Sequence, residues 1–457
     1  MHSHALAGLR AVSEFTLHFP PNFKWGTATA AHQVEGNNTN NQWWQWEQTH
    51  KRIMNGDRSG IACDWWNNAE ADFDRMVALG LNAHRLSVEW SRIEPREGRF
   101  DSAALDRYRA MLLALRQRGI EPMVTLHHFT NPCWLEERRA WEDADVIVPL
   151  FRRFTEKVVH ALGDLCDLWC TINEPNVYAT MGYLSGGRMP PGLQDARLAA
   201  QVLRNMLIAH AVAYETLHEK QTLARVGLAH HMRYFQPLRP GHLLDGIIAR
   251  ALNSMFNQSI LEALAKGRWQ RILARGAPVS ARKLRGTLDW IGLNYYTRHR
   301  VAFDPTKRET FYSELLLYPQ DVAMTDFNFG EIYPEGILIF ARQLSRYKLP
   351  IYITENGLPD HDDDLRPAFL VQHLHTTWQA IQMCYDVRGY YHWSFVDNFE
   401  WGEGWRMKFG LVAMDTHTQA RQFRRSALLY RDIIQAGAIT SAIVREYTPQ
   451  LFQTLYR

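Results

Sequence analysis

The sequence predicts a single α/β domain, a (β/α)8 TIM barrel with long loops at the C-terminal face of its strands. Eight short apolar segments with the character of buried strands alternate with helical segments along the chain. The composition shows no break along the 457 residues, and barrels with insertions often exceed about 400 residues. A doubly wound sheet is the alternative, but no GxGxxG motif follows an early strand. We expect a loose N-terminal segment at 1–18 and the barrel domain at 19–457.

The elements follow from the spacing of apolar residues. Short apolar or alternating runs predict the strands, which cover 23–30, 82–90, 122–128, 168–173, 225–231, 288–297, 350–354 and 390–395. Apolar residues three and four apart predict the helices, centred on 73–80, 102–119, 151–163, 197–220, 243–266, 336–347, 369–385 and 426–435. Asp101 is the expected cap of the second helix. The stretch 298–330 is predicted to be a long connection, and such loops at the top of a barrel shape the site.

Composition limits the classes of partner. The 51 basic and 48 acidic residues leave a net charge of +3, which is too balanced to favour nucleic acid or an anionic membrane surface. No run of 18 apolar residues exists, and the first 15 residues lack the pattern of a signal peptide. The five cysteines are scattered and odd in number, unlike a disulfide framework. We therefore expect an enzyme located in the cytoplasm, with neither nucleic acid nor membrane as a partner.

Two glutamates come at the ends of predicted strands. Glu355 ends the apolar run IYIT within IYITENG, and Glu174 follows the run WCTIN. Strand C-termini carry the chemistry in this fold, so the two carboxyl groups are expected to face one another. Hydrolysis of a glycosidic bond needs such a pair, one group to protonate the leaving oxygen and one to attack or to activate water. A hydroxyl such as that of Tyr296, at the end of strand six, could hold a nucleophilic carboxylate ionised.

Histidine pairs raise a second hypothesis. His127 and His128 end the third strand, and His230 and His231 end the fifth. Paired histidines in a barrel are compatible with a metal site. A metal-dependent barrel hydrolase typically carries an HxH pair on the first strand, which this chain lacks. We therefore expect neither a metal nor a cofactor, and one member of each pair is expected to face outward into helix packing.

The C-terminal stretch 393–401 combines aromatic and polar residues. An indole suits the C–H face of a sugar, and a carboxylate suits paired hydroxyl groups. Trp393 and Trp401 supply indoles here, and Glu400 supplies a carboxylate. The cluster therefore indicates a sugar-binding surface.

Six ordered motifs resemble glycoside hydrolase family 1, the β-glucosidase and β-galactosidase family of retaining barrels. They are AHQVEG (31–36), NAHRLSVEWSRIEP (82–95), TINEP (171–175), NYYT (294–297), ITENG (353–357) and HWSFVDNFEW (392–401). The resemblance spans 23–430. It implies that Glu174 is the general acid/base, that Glu355 is the nucleophile, and that Arg85 and Tyr296 hold Glu355 ionised. It also implies a substrate-binding set, with Trp393 as the floor and Phe409 near C6, made of Gln33, His128, Asn173, Asn294, Trp393, Glu400, Trp401 and Phe409.

The resemblance implies a retaining exo-β-glycosidase, a β-glucosidase that also accepts β-galactosides and β-fucosides. Its partners would be small β-glycosides or oligosaccharides, and its carboxyl groups would lie about 5–5.5 Å apart. The 6-phospho-glycosidase branch has Ser, Lys and Tyr where this chain has Glu400, Met407 and Phe409, so a neutral sugar is favoured. We further predict that the neighbouring carboxylate raises the pKa of Glu174.

Three alternatives stay open: a transglycosidase or glycosyltransferase on the same scaffold, a non-catalytic sugar-binding protein, and a metal-dependent hydrolase. The sequence leaves the preferred sugar, the aglycone and the oligomeric state open. His32, in place of the family's usual tyrosine, and the sequence His127-His128-Phe129-Thr130 depart from the common pattern around the aglycone wall.

Overall fold

Eight parallel strands close into a barrel at the centre of the computed structural model, which describes residues 14–49, 51–187, 189–307, 310, 312–317 and 323–455. The strands of these residues are β1 (Thr16–His18), β2 (Lys24–Ala28), β3 (Ala83–Ser87), β4 (Glu121–His127), β5 (Leu168–Asn173), β6 (Arg225–His231), β7 (Tyr234–Pro237), β8 (Trp290–Asn294), β9 (Arg298–Phe303), β10 (Ser313–Leu316), β11 (Ile351–Asn356), β12 (Val387–Trp393), β13 (Val412–Met414), β14 (Arg421–Phe423) and β15 (Ala438–Thr440). The barrel order is β2, β3, β4, β5, β6, β8, β11 and β12, and β12 pairs with β2. The prediction of a (β/α)8 barrel is confirmed.

Helices connect the strands and cover the barrel. Within the described residues they are α1 (Ala31–Val34), α2 (Gln42–Glu47), α3 (Trp65–Ala78), α4 (Trp90–Ile93), α5 (Ser102–Gln117), α6 (Cys133–Glu137), α7 (Ala144–Leu162), α8 (Pro175–Tyr183), α9 (Ala196–Lys220), α10 (Leu243–Leu252), α11 (Ser259–Leu264), α12 (Arg271–Ala274), α13 (Glu335–Leu344), α14 (Arg366–Gln382), α15 (Arg425–Ala436), α16 (Ser441–Tyr447) and α17 (Phe452–Leu455). The Asp101 side chain caps α5 as predicted, since it accepts from the backbone N–H groups of Ala103 and Ala104. No helix of the described ranges is long and apolar enough to cross a bilayer.

The predicted ends of some barrel strands agree with the structure, and those of others do not. The fourth and fifth barrel strands, β5 and β6, match the predicted ranges. The seventh, β11, was predicted to end at residue 354 but continues through Asn356. The pairing of β11 with β8 and β12 resumes after a register shift, so that Glu355 lies beside Asn294 and Asn356 beside His392. Neighbouring strands thus supply hydrogen-bond partners for polar residues that a local reading assigns to a loop.

Two insertions differ from the prediction. The single helix expected at 243–266 is divided by a π-helical segment, Asn253–Gln258, which lies between α10 and α11. The connection expected at 298–330 contains β9 and β10, which form a three-stranded sheet with β7. Partners in this sheet come from separate parts of the chain, so a pattern read along the sequence does not reveal the pairing. β7 and the divided helix follow β6, and β9 and β10 follow β8. Both insertions therefore begin at the C-terminal end of the barrel strands.

Part of the N-terminal segment predicted to be loose forms a strand. Residues 1–13 of the segment predicted to be loose lie outside the described residues. Thr16–His18 of the same segment form β1 and pair antiparallel with Ala438–Thr440 of β15. Leu17 packs against the main core from this strand. The pairing partner is more than 400 residues away in sequence, which explains why a local pattern misses it.

Candidate active site

Glu355 is the second-last residue of β11 and is buried at the C-terminal end of the barrel. Arg85 on β3 donates from Nη1 to its Oε1 at 2.5 Å, and the Tyr296 hydroxyl donates to its Oε2 at 2.6 Å. Burial and the charge of Glu174 raise the pKa of Glu355 to about 7, although Arg85 and Tyr296 oppose the shift. Both carboxylate oxygens therefore accept a hydrogen bond that favours the ionised form.

Arg85 connects the two halves of the site. Its side chain is almost fully buried, yet each of its three nitrogens has a partner. Besides Glu355, it donates from Nε to Thr125 Oγ1 at 3.0 Å and from Nη2 to Asn173 Oδ1 at 2.7 Å. A buried guanidinium with this many partners is held in one orientation. Arg85 therefore provides a fixed positive charge beside the Glu355 carboxylate.

Glu174 comes immediately after β5 and before Pro175, the first residue of α8. Its backbone has a φ of 46°, in the left-handed region that non-glycine residues rarely adopt. Its Oε1 lies 2.9 Å from His231 Nδ1 and accepts from Asn294 Nδ2 at 2.8 Å. The two neighbours hold the carboxyl group in place at a turn where backbone strain is concentrated.

The pKa of Glu174 differs from the prediction. Burial raises it, but the charge and hydrogen bond of His231, together with Asn294 and Arg85, outweigh burial and lower it. The prediction that the neighbouring carboxylate raises this pKa is therefore wrong for the free site. Glu174 and Glu355 interact directly, so they titrate as a pair. The pair retains one proton up to about pH 7, because the second ionisation would place two negative charges in one buried site.

Amides join these carboxyl groups to the adjoining strands. Asn173 Oδ1 accepts from Asn294 at 3.1 Å as well as from Arg85, and Asn173 Nδ2 lies 3.0 Å from His128 Nε2. Thr354 donates to Asn294 Oδ1 at 2.6 Å and so determines which end of that amide faces Glu174. The network rigidly orients the side chains predicted to contact a substrate.

A second group of polar side chains lies beside the first. Gln33 Nε2 donates to Asn398 Oδ1 and the Phe399 carbonyl oxygen, both at 2.9 Å, and contacts Glu400 Oε2 at 3.3 Å. Gln33 Oε1 is buried and has no hydrogen-bond partner within the described residues. Burial, and then the charge of Glu355, raise the pKa of Glu400 to about 8. These groups offer an unused acceptor and a carboxyl group, which suit adjacent sugar hydroxyls.

Aromatic rings complete the walls of the site. The Trp401 ring stacks on His128 and His32, with centroids 6.0 and 5.9 Å apart. His128 also stacks on Trp393 at 6.0 Å. Phe409 lies 6.3 Å from the Tyr296 ring. The structure therefore brings all of the predicted site residues into one region, and no member of the predicted set lies elsewhere.

The histidine pairs divide as predicted, with one member on each side of the barrel wall. His127 contacts Asn131 among buried aromatic rings, and His230 contacts the Asn257 carbonyl oxygen. His128 and His231 face the site instead. The contact between His231 and Glu174 was not predicted, although the alternation of side chains along a strand could have placed one of the two histidines inside.

Comparison with known proteins gives consistent results. A family model described as Glycosyl hydrolase family 1 matches residues 15–438. Beta-glucosidase A of Thermotoga maritima is 31% identical over 448 residues, covering 92% of this chain and 98% of the relative. Beta-galactosidase of Sulfolobus acidocaldarius is 32% identical, covering 93% and 96%. The solved beta-glycosidase of Pyrococcus horikoshii is similar with a TM-score of 0.87 and 37% identity, covering 95% and 98%.

Proposed function

The chain belongs to glycosyl hydrolase family 1, whose members are O-glycosyl hydrolases, and on this premise we propose that it is a retaining exo-β-glycosidase. One observation carries the proposal: two buried carboxyl groups of one site have different partners. Glu355 accepts from Arg85 and Tyr296, whereas Glu174 contacts His231 and Asn294. The first environment suits a nucleophile that must be ionised, and the second suits a group that exchanges a proton.

The proposed reaction has two steps. In the first, a Glu355 oxygen forms a bond to the anomeric carbon, the glycosidic bond breaks, and Glu174 gives its proton to the leaving oxygen. The product is a glycosyl ester on Glu355 and a free alcohol. In the second, Glu174 takes a proton from water, the resulting oxygen attacks the anomeric carbon, and the ester bond breaks. Glu355 carries no charge once it has formed the ester. Loss of this neighbouring negative charge lowers the pKa of Glu174, which suits its role as a base.

The proposed substrates are terminal, non-reducing β-D-glycosyl residues of small glycosides or oligosaccharides. Relatives named beta-glucosidase and beta-galactosidase support glucose and galactose as sugars, and β-fucosides are included in the proposal. The sugar would lie against Trp393, with hydroxyls on Gln33 and Glu400. A neutral sugar is favoured because Glu400 would repel a phosphate in its ionised form, and Met407 and Phe409 offer it no cation.

The test is a panel of para-nitrophenyl β-glucoside, β-galactoside and β-fucoside, with the wild type, Glu355→Gln and Glu137→Gln in parallel. Glu137 is exposed, so its variant is the control for the same chemical change elsewhere. We expect nitrophenol release by the wild type and by the control, and no turnover by Glu355→Gln. Nuclear magnetic resonance should detect the β-anomer as the first sugar product.

Other outcomes would overturn parts of the proposal. Near-wild-type turnover by Glu355→Gln would remove its assignment as nucleophile. A first product in the α configuration would refute retention. Transfer products in place of free sugar would indicate a transglycosidase, and saturable binding without any product would indicate a sugar-binding protein.

A further inference from the structure

Arg233 is a half-buried arginine that has no carboxylate partner among the described residues. It lies two residues after β6, close to His231. Its Nε is buried without a hydrogen bond, and its guanidinium makes no hydrogen bond or ion pair with any part of the chain that the structure describes. Arg298 and Arg300 on the adjacent β9 both pair with Glu331. Arg233 is thus a positive charge that the described residues leave unneutralised.

An unpaired, half-buried charge is costly to the folded protein. Removing an ion from water costs free energy that hydrogen bonds or an opposite charge normally offset. Burial accordingly lowers the pKa of Arg233 to about 10, and the charge of Glu174 opposes that effect. A ligand anion bound at this point would supply the missing partner.

Arg233 lies on the Glu174 side of the site. The Phe256 ring is 5.9 Å from the Arg233 guanidinium carbon and 5.7 Å from the His231 ring. His231 in turn contacts Glu174 at 2.9 Å. Since Glu174 is proposed to protonate the leaving oxygen, its side of the site would be the side that the departing aglycone occupies. Phe256 belongs to the π-helical segment 253–258, and such segments are frequent at functional sites.

His299 supplies a second donor beside Arg233. It lies on β9, in register with Phe235 of β7. Its Nδ1 is buried and has no hydrogen-bond partner among the described residues. Burial and the charges of Arg233 and His231 lower its pKa to about 2, so the ring is neutral. A neutral imidazole can still donate one hydrogen bond from Nδ1 without adding charge to the site.

We propose that Arg233 and His299 form an aglycone subsite that binds a carboxylate on the leaving group. The inference rests on the proposed function, because it assumes that Glu174 faces the aglycone. A carboxylate fits this position since its two oxygens accept hydrogen bonds from a guanidinium and an imidazole together. The sugar end of the site, with Glu355 and Glu400, would repel the same group. The subsite therefore selects the aglycone and leaves the sugar preference unchanged.

The test compares two leaving groups of similar shape and different charge, para-carboxyphenyl and para-carbamoylphenyl β-glycosides, on the sugar that the nitrophenyl panel ranks first. The readout is the ratio of kcat/KM for the carboxylate to that for the amide. Comparing this ratio between proteins cancels the intrinsic reactivity of the two phenols. We expect the Arg233→Met ratio to be at least about tenfold below that of the wild type, because a charge-assisted hydrogen bond is lost.

Three further variants make the comparison specific. Arg233→Lys keeps the charge and should retain part of the preference, since it lacks the planar fork of arginine. His299→Leu should lower the ratio less than Arg233→Met, because it removes a neutral donor. Arg250→Met is the matched control: Arg250 is exposed at the end of α10, and its loss should leave the ratio unchanged. The wild-type ratio should also fall as salt is added, because screening weakens the attraction.

The outcomes distinguish failure of the subsite from failure of the proposed function. No hydrolysis of any neutral nitrophenyl glycoside would overturn the proposed function itself. Hydrolysis with the same ratio in the wild type and in Arg233→Met would overturn the subsite alone. A shift of the pH profile in Arg233→Met with an unchanged ratio would also overturn it, and would assign Arg233 to tuning the pKa of Glu174.

Discussion

Replacing His231 with leucine tests how the pKa of the carboxyl pair is set. His231 Nδ1 contacts Glu174 Oε1 at 2.9 Å, and its effect is the largest of those that lower the pKa of Glu174. Leucine removes the donor while filling much of the same volume. The remaining donor, Asn294, cannot replace both the hydrogen bond and the charge of His231. The doubly ionised pair, in which Glu174 and Glu355 are both negative, is therefore destabilised.

The size of the effect follows from burial. Both side chains of the contact are only 8% exposed, so solvent screens it little. A hydrogen bond to a charged group contributes roughly 1.5–3 kcal/mol, and one pKa unit corresponds to about 1.4 kcal/mol. Loss of His231 should raise the pKa of the last proton of the pair by about 1–2 units, from about 7 to about 8 or above. The acid form then persists to higher pH, so the basic limb of activity moves upward.

The assay is the pH dependence of kcat/KM for phenyl β-glycoside, a substrate that needs protonation of its leaving group. His230→Leu is the matched control, because His230 is the adjacent residue and contacts the Asn257 carbonyl oxygen instead of the site. We expect its basic limb at the wild-type position. A limb that stays in place in His231→Leu, or that moves equally in both variants, would refute the reasoning.

Three further predictions concern the pair and the scaffold. The wild-type kcat/KM should fall as pH rises through about 7, because loss of the last proton of the Glu174–Glu355 pair leaves no general acid. A pH profile of kcat/KM that stays flat to pH 9 would contradict this prediction. Glu174→Ala should lower kcat/KM about 10²–10⁴-fold for phenyl glycoside but far less for dinitrophenyl glycoside, and azide should restore turnover. Equal losses of kcat/KM for the two substrates would exclude an acid role for Glu174. Asp397→Ala should lower the free energy of unfolding in urea by about 3–5 kcal/mol, since it leaves Arg424, whose side chain is only 9% exposed, without its carboxylate. Asp386→Ala, at an exposed ion pair, should cost under about 1 kcal/mol.

Much of the fold could be predicted because its determinants are local. Short runs of apolar residues predicted β5 and β6 to the residue, and the Asp101 cap was evident from the sequence. Prediction was least accurate where distant segments pair. The end of β11 depends on β8 and β12, and the small sheet of β7, β9 and β10 joins segments separated by a barrel strand. A backbone hydrogen bond to a distant strand has no signature in a short window of sequence.

The candidate site shows the same division. Glu174 and Glu355 stood out because carboxyl groups at strand ends converge in a barrel, and the family motifs indicated their neighbours. The partners that determine protonation come from distant positions: Arg85 is 270 residues from Glu355, and His231 is 57 from Glu174. The direction of the pKa shift at Glu174 was therefore predicted incorrectly. It depends on which donors contact the group and on how deeply it is buried.

The sequence by itself determined the barrel, the order of its strands, and the residue types available at their ends, because strand periodicity and chain order are encoded locally. Only the tertiary structure decided which side chains share protons and charge. It placed His231 on Glu174 and oriented Asn294 through Thr354, and within the described residues it gives Arg233 no carboxylate partner. The reason is that hydrogen bonding and desolvation depend on distances of a few ångströms between strands, and these distances exist only once the barrel has closed.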